Sequence, residues 1–372
     1  MKEKFIKQYQ YIDKYMSHSN CKVKCLYDVL KMCEINITID QAYFLIMNDL
    51  TYFKTFDYPL KHTKVKLGLL CNFTDGCEFE ALKSIGLTIT ELDNNQTDSL
   101  EKLKLLVDKD SIVLYCLNSA EMLNKKETNT LAARPVSVYA VIGYDENKII
   151  LNYRSNKGIF EKVDYEKFEL SRKSIMYPVS PNSKAYAIRM ENTEEKYTKI
   201  EKLIIENLNK VSGGYFIVDK PDCSNITKWE SSPYFSMIEH LNSFKTNILN
   251  ITRDEDVIDK LFKMQLSVQR FALHLGSEGT LSRREFGEAL KHINIGLNKN
   301  ELCALGDEFN DISTRWRNLS RDLYHYNLGK LDSDKCIEEI SLKLKNIWLE
   351  EDLLLKKLYL ISGRHPSEMS LK

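Results

Sequence analysis

The chain has 372 residues, is 43% hydrophobic and balances 53 basic against 53 acidic side chains. That balance excludes the broad basic footprint of a nucleic-acid-binding protein, and at roughly 100 to 200 residues per domain the length suggests two domains. The start "MKEKFIKQYQYIDKYM" lacks an apolar signal core, and no run of about 18 apolar residues offers a membrane span, so a soluble cytoplasmic protein without membrane contact is expected.

In chain order, the first clear element is a helix from residue 21. Val23, Leu26, Leu30 and Cys33 recur at three- and four-residue steps, and Asn20 supplies an N-cap. "QAYFLIMNDL" reads as a second helix, and "KVKLGLLCNF" and "SIGLTITELD" as a strand-containing region with small helices. Leu100, Leu103 and Leu106 mark a helix, and "SIVLYCL" a buried strand. "RPVSVYAVIGYDENKIILNYRSNKGIFEKVDYEKF" reads as three strands joined by turns. The Pro- and Ser-containing "MYPVSPNSKAYAIRM" marks a break, which divides the chain into 1–185 and 186–372. Beyond Thr193 the pattern is helical. One helix stops at Gly213 and Gly214, and Ser282 and Asn300 are expected to cap two others.

Nine cysteines at irregular spacing, with no CxxC pair, fit free thiols better than a disulfide framework or a structural zinc site, so no metal is expected. Cys21 stands at the predicted helix start, where oriented amides and the macrodipole favour a thiolate. Cys25, one turn further, is expected to pack inside. The plainer reading makes both ordinary buried thiols. The run "RWRNLSRDLYHY" interleaves three arginines with aromatic residues. It fits a solvated amphipathic helix, or a surface that grips phosphate or an acidic helix of a carrier protein.

"SNCKVKCLYDVLKMCEINITIDQAYFLI" and "PVSVYAVIGYDENKIILNYRSNKGIFEKVDYEKFELSR" resemble the butirosin biosynthesis protein H family. The helical half resembles that family's partner domain at Arg284, Phe286, Ala289, Phe309 and Trp316. The resemblance implies an α+β architecture, with a papain-like, C39-like cysteine-peptidase-type domain over 1–185 and an α-helical bundle domain over 186–372. It implies an acyltransferase, or amide synthetase, of natural-product biosynthesis. The nucleophilic cysteine takes an acyl group from the phosphopantetheine thioester of a carrier protein and passes it to a small-molecule amine, with no cofactor of the enzyme's own. Cys21 matches the nucleophile and Asn152 the orienting residue. The family histidine falls on Ser137, six positions before Gly143. Asn20, Tyr139 and Cys116 are expected to contact substrate.

Serine does not act as a base near neutral pH, so a base must come from elsewhere or not be needed. His18, three residues before Cys21, is the first substitute; His62, His274, His292 and His325 are others. Alternatively, an activated thioester exchanges with a thiolate unaided. Two further functions stay open: a catalytically degenerate relative that binds a carrier protein or peptide, and a cysteine peptidase or amidase. A homo-oligomer is compatible with the sequence.

Overall fold

A computed structural model describes residues 3–13, 20–47, 50–60, 63–72, 76–93, 99–118, 136–154, 160–174, 183–190, 196–213, 232–274, 277–329 and 332–362. The architecture is α+β, and the chain divides into two compact units, Met1–Ile46 with Gly76–Ile200, and Met47–Asp75 with Glu201–Lys372. In chain order the elements are β1 (Lys4–Phe5), α1 (Cys21–Met32), α2 (Ile39–Ile46), β2 (Tyr52–Leu60), β3 (Thr63–Cys71), α3 (Cys77–Ser84), β4 (Leu87–Glu91), α4 (Leu100–Asp108), β5 (Ile112–Asn118) and β6 (Val136–Asp145). Then follow β7 (Lys148–Arg154), β8 (Phe160–Asp164), α5 (Tyr165–Arg172), β9 (Ala185–Met190), α6 (Lys196–Gly213), α7 (Pro233–Ile251), α8 (Glu255–His274), α9 (Arg283–His292), α10 (Lys299–Leu328) and α11 (Ser333–Ser362).

The first unit is built on an antiparallel sheet in the order β4-β9-β5-β6-β7-β8, with β1 paired to β6. α1 is buried almost all round, at Val23, Cys25, Leu26, Tyr27, Val29, Leu30 and Met32, and packs against α2, β6 and α3. Its start is fixed locally. The Asn20 side chain accepts hydrogen bonds from the Lys22 and Val23 amides, a cap contributing about 1 kcal/mol. Phe168 of α5 meets Tyr115 of β5 edge to face, at 5.0 Å between centroids.

Two expectations from the sequence change here. β9 lies inside the segment read as a break, yet it is paired on both sides, Ile188 opposite Ile89 and opposite Ile112. The neighbouring prolines and serines conceal a strand whose partners lie far earlier in the chain, Ile188 being 99 positions after Ile89 and 76 after Ile112. The excursion 47–75 also leaves the first unit and joins the helical one.

The reason for the second change is visible in the hydrogen bonds. The β2–β3 hairpin would expose a bare edge on β3, and α8 covers it with glutamine side chains. Gln265 accepts from Gly68 N at 2.9 Å and donates to Gly68 O at 2.7 Å, while Gln269 accepts from Leu70 N at 2.8 Å. Two amides thus replace part of a missing strand. α9 and α10 approach so closely that a methyl group on Gly287 would lie 2.5 Å from the Gly306 carbonyl oxygen.

Among the described residues, the ion pair Arg283–Glu351 lies in the interior of this unit. Arg283 donates from Nε to Glu351 Oε1 and from Nη2 to Glu351 Oε2, both at 2.7 Å, and from Nη1 to the carbonyls of Leu50 and Leu281. Thr51 and Tyr234 accept from Nη2, and Trp316 Nε1 donates to Glu351 Oε1 at 2.6 Å. Of the two expected caps, Ser282 precedes α9 but its hydroxyl accepts from Asn72 instead of capping, and Asn298, not Asn300, caps α10. Asn300 and Glu301 are the residues whose amides Asn298 receives.

Candidate functional site

Cys21 is the first residue of α1, and its Sγ lies 3.1 Å from Ser137 Oγ at the start of β6. α1 packs on β6, and this brings together two residues 116 positions apart. The β5–β6 register sets Ser137 opposite Leu117 and Val138 opposite Cys116. Burial pushes the Cys21 thiol above its ordinary pKa, and the Ser137 hydrogen bond and the Lys22 charge offset this only in part. Burial thus opposes the lowering that a helix start favours. Cys25, one turn deeper, is buried and shifted further upward, as a packing thiol should be.

Lys22 points its Nζ to Glu78 Oε2 at 3.4 Å and to Cys77 Sγ at 3.8 Å, while Cys77 donates to Glu78 Oε2 at 3.4 Å. Glu78 is 3% exposed, so a lysine and a nearly enclosed carboxylate, both on first helical turns, stand beside the Cys21 position. Burial pushes Cys116 up to about 12, with Glu78 adding to the rise and Lys22 opposing it. Tyr186 of β9 packs tilted on Phe79 at 4.4 Å and is also raised to about 12, mainly by burial.

Asn152 is buried, and both ends of its amide are used. Oδ1 accepts from Ala140 N at 2.9 Å, just beyond the Val141–Leu151 pair where β6 and β7 shift register, and Nδ2 donates to Asp28 Oδ2 at 3.1 Å. Asp28 also accepts from Lys24. Asn152 thus ties β7 to β6 and to α1, two turns below Cys21. Asn20 is buried and serves the helix cap, Tyr139 is buried in β6 opposite Tyr115, and Cys116 is half-buried in β5.

No imidazole is placed at Cys21 among the described residues. His18 is the one histidine in the sequence of the first unit; it and His62 lie outside the described residues. His274, His292 and His325 belong to the second unit, where His274 Nε2 is 2.8 Å from Ser320 Oγ. His240 sits there too, held by Gln265 at 3.1 Å and kept towards the neutral form by burial. Among the described residues no three His, Cys, Asp or Glu side chains gather as a metal site, and no helix is long and apolar enough to cross a membrane.

The groups that sequence reasoning missed are Lys22, Glu78, Cys77 and Asp28. Lys22 had a local signal, its place beside Cys21 in the first turn of α1. Glu78 and Cys77 enter only through the packing of α3 on α1, a long-range fact. Comparison with protein-family models and with curated proteins found no match for this chain.

Proposed function

We propose that the first unit is a papain-like domain that handles thioesters through Cys21. In this reading it is an acyltransferase, or amide synthetase, of natural-product biosynthesis that works with a carrier protein in the cytoplasm. The observation that supports this is the 3.1 Å approach of Cys21 Sγ to Ser137 Oγ, which joins the two positions that the family resemblance assigns to nucleophile and base.

The Cys21 sulfur attacks the carbonyl of a phosphopantetheine thioester. The carbon–sulfur bond to pantetheine breaks, and the pantetheine thiol leaves with the Cys21 proton. A small-molecule amine then attacks the acyl-Cys21 thioester, the amide bond forms, and a proton from the amine returns to the sulfur. Thioester exchange replaces one carbon–sulfur bond by another, so it demands less of a base than amide cleavage does. A peptidase or amidase would have to protonate an amine leaving group, which Ser137 is unfit to do.

A second reading is favoured by the upward shift of Cys21 and by a serine at the base position: a site that holds a carrier-bound chain or a peptide without turnover. Incubation with acyl-pantetheine thioesters, followed by intact mass measurement beside Cys21→Ala, separates the two. Acyl transfer gives a mass increase that disappears in the variant. Binding of the thioester without any adduct gives the second reading.

A further inference from the structure

The arginine-rich run of α10 is divided by the fold into engaged and free side chains. Trp316 is buried and donates to Glu351, and Arg315 Nε pairs with Glu350 Oε2 at 2.5 Å. Arg317 and Arg321 are exposed and form no ion pair among the described residues. Three acids of the same helix are occupied elsewhere, Asp322 with Lys343, Glu308 with Lys357 and Asp307 with Lys291.

At 3.6 residues per turn, Arg317, Arg321, Tyr324 and Leu328 fall within a stripe about 60° wide. Tyr324 is 42% exposed and Leu328 67%. The stripe is anchored from the side by α8, where the Arg270 guanidinium lies 4.7 Å from the centroid of the Tyr324 ring. His274 to Ser320 at 2.8 Å and Asn327 to Ser267 at 2.6 Å fix the α8–α10 seam on either side of that contact. One guanidinium thus lies over the exposed tyrosine, and Arg321 and Arg317 follow it along the same braced stripe.

We propose that this stripe is a docking surface for an acidic helix of a partner protein. The arrangement selects that occupant. Arg317 and Arg321 are about 6 Å apart along the axis, the spacing of glutamates at i and i+4 on a facing helix. A single phosphate is best held by donors that converge on a point, whereas these are strung in a line. Tyr324 and Leu328 add the apolar contact that a helix partner supplies and a nucleic-acid backbone does not. The proposal stands apart from the chemistry at Cys21 and does not depend on it.

The test uses the full chain and a fluorescent, stapled helical peptide carrying glutamates in one i, i+4 row. A second peptide of the same composition spreads them around the helix. Anisotropy titrations are run with the wild type, with the Arg317→Glu/Arg321→Glu double variant and with Lys210→Glu on α6 as control. The row peptide should bind more tightly than the spread one, weaken with salt, lose about tenfold or more in the double variant and change little in the control. Equal binding of both peptides, undiminished binding to a double variant of unchanged Tm, or tighter binding of inorganic phosphate or single-stranded RNA would overturn the proposal.

Discussion

Arg283 in the helical unit and Cys21 in the sheet unit are both polar groups drawn away from water, and the fold treats them in opposite ways. Arg283 is 0% exposed, and each of its three nitrogens has an acceptor, with a bidentate carboxylate that is itself braced by Tyr234 and Trp316. Cys21 is half-buried, shares one hydrogen bond with a serine hydroxyl, and has beside it a lysine already committed to Glu78. A buried charge must be satisfied completely or it costs several kcal/mol, so the first arrangement holds a fold together. A thiol can be enclosed as a neutral group at little cost, and the second arrangement leaves its proton available for chemistry.

That contrast can be broken most forcefully at Arg283. Arg283→Met strands the Glu351 carboxylate and should cost about 3–5 kcal/mol in urea unfolding followed by circular dichroism. Arg283→Met/Glu351→Met should recover much of the loss. A double variant as unstable as the single one would mean that charge compensation is not what the node provides.

At Cys21 the expected effects are on reactivity. Ser137→His restores an imidazole at the position whose hydroxyl now meets the sulfur. It should move the pH profile of Cys21 alkylation, read by peptide mass mapping, about one unit lower, roughly tenfold more thiolate at neutral pH. The wild-type profile should have its midpoint above the ordinary thiol value, in line with the direction of the burial shift.

The smallest effect has the sharpest sign. Lys22 favours the Cys21 thiolate and Glu78 opposes it, so Lys22→Met should shift that profile upward and Glu78→Gln downward, each changing the neutral-pH rate by a few-fold. A purely structural ion pair would move both variants the same way.

What the sequence made legible was mostly local. α1 with its Asn20 cap, and the strands β5 to β8, follow from spacing and cap chemistry within a dozen residues. The meeting of Cys21 with Ser137 could be anticipated only through a family resemblance, since no pattern within a single segment pairs residues 116 apart. Asn298 was missed because Asn300, two residues on, also precedes a periodic stretch. β9, the place of the hairpin and the glutamines that cover it were illegible for a common reason. Each depends on a partner distant in the chain, and Gln265 and Gln269 look like ordinary helix residues until β3 lies beside them.

The hairpin also bears on the order in which the protein is made. Gly68 and Leu70 leave the ribosome nearly 200 residues before the glutamines that receive their amides, since the pairs are separated by 197 and 199 positions. A nascent chain must carry an uncovered strand edge through most of its synthesis, the state in which strands pair with the wrong neighbour. A fragment ending near residue 200 would keep that edge permanently. The sheet unit is therefore best produced with its helical companion attached, or with residues 47–75 replaced by a short polar loop.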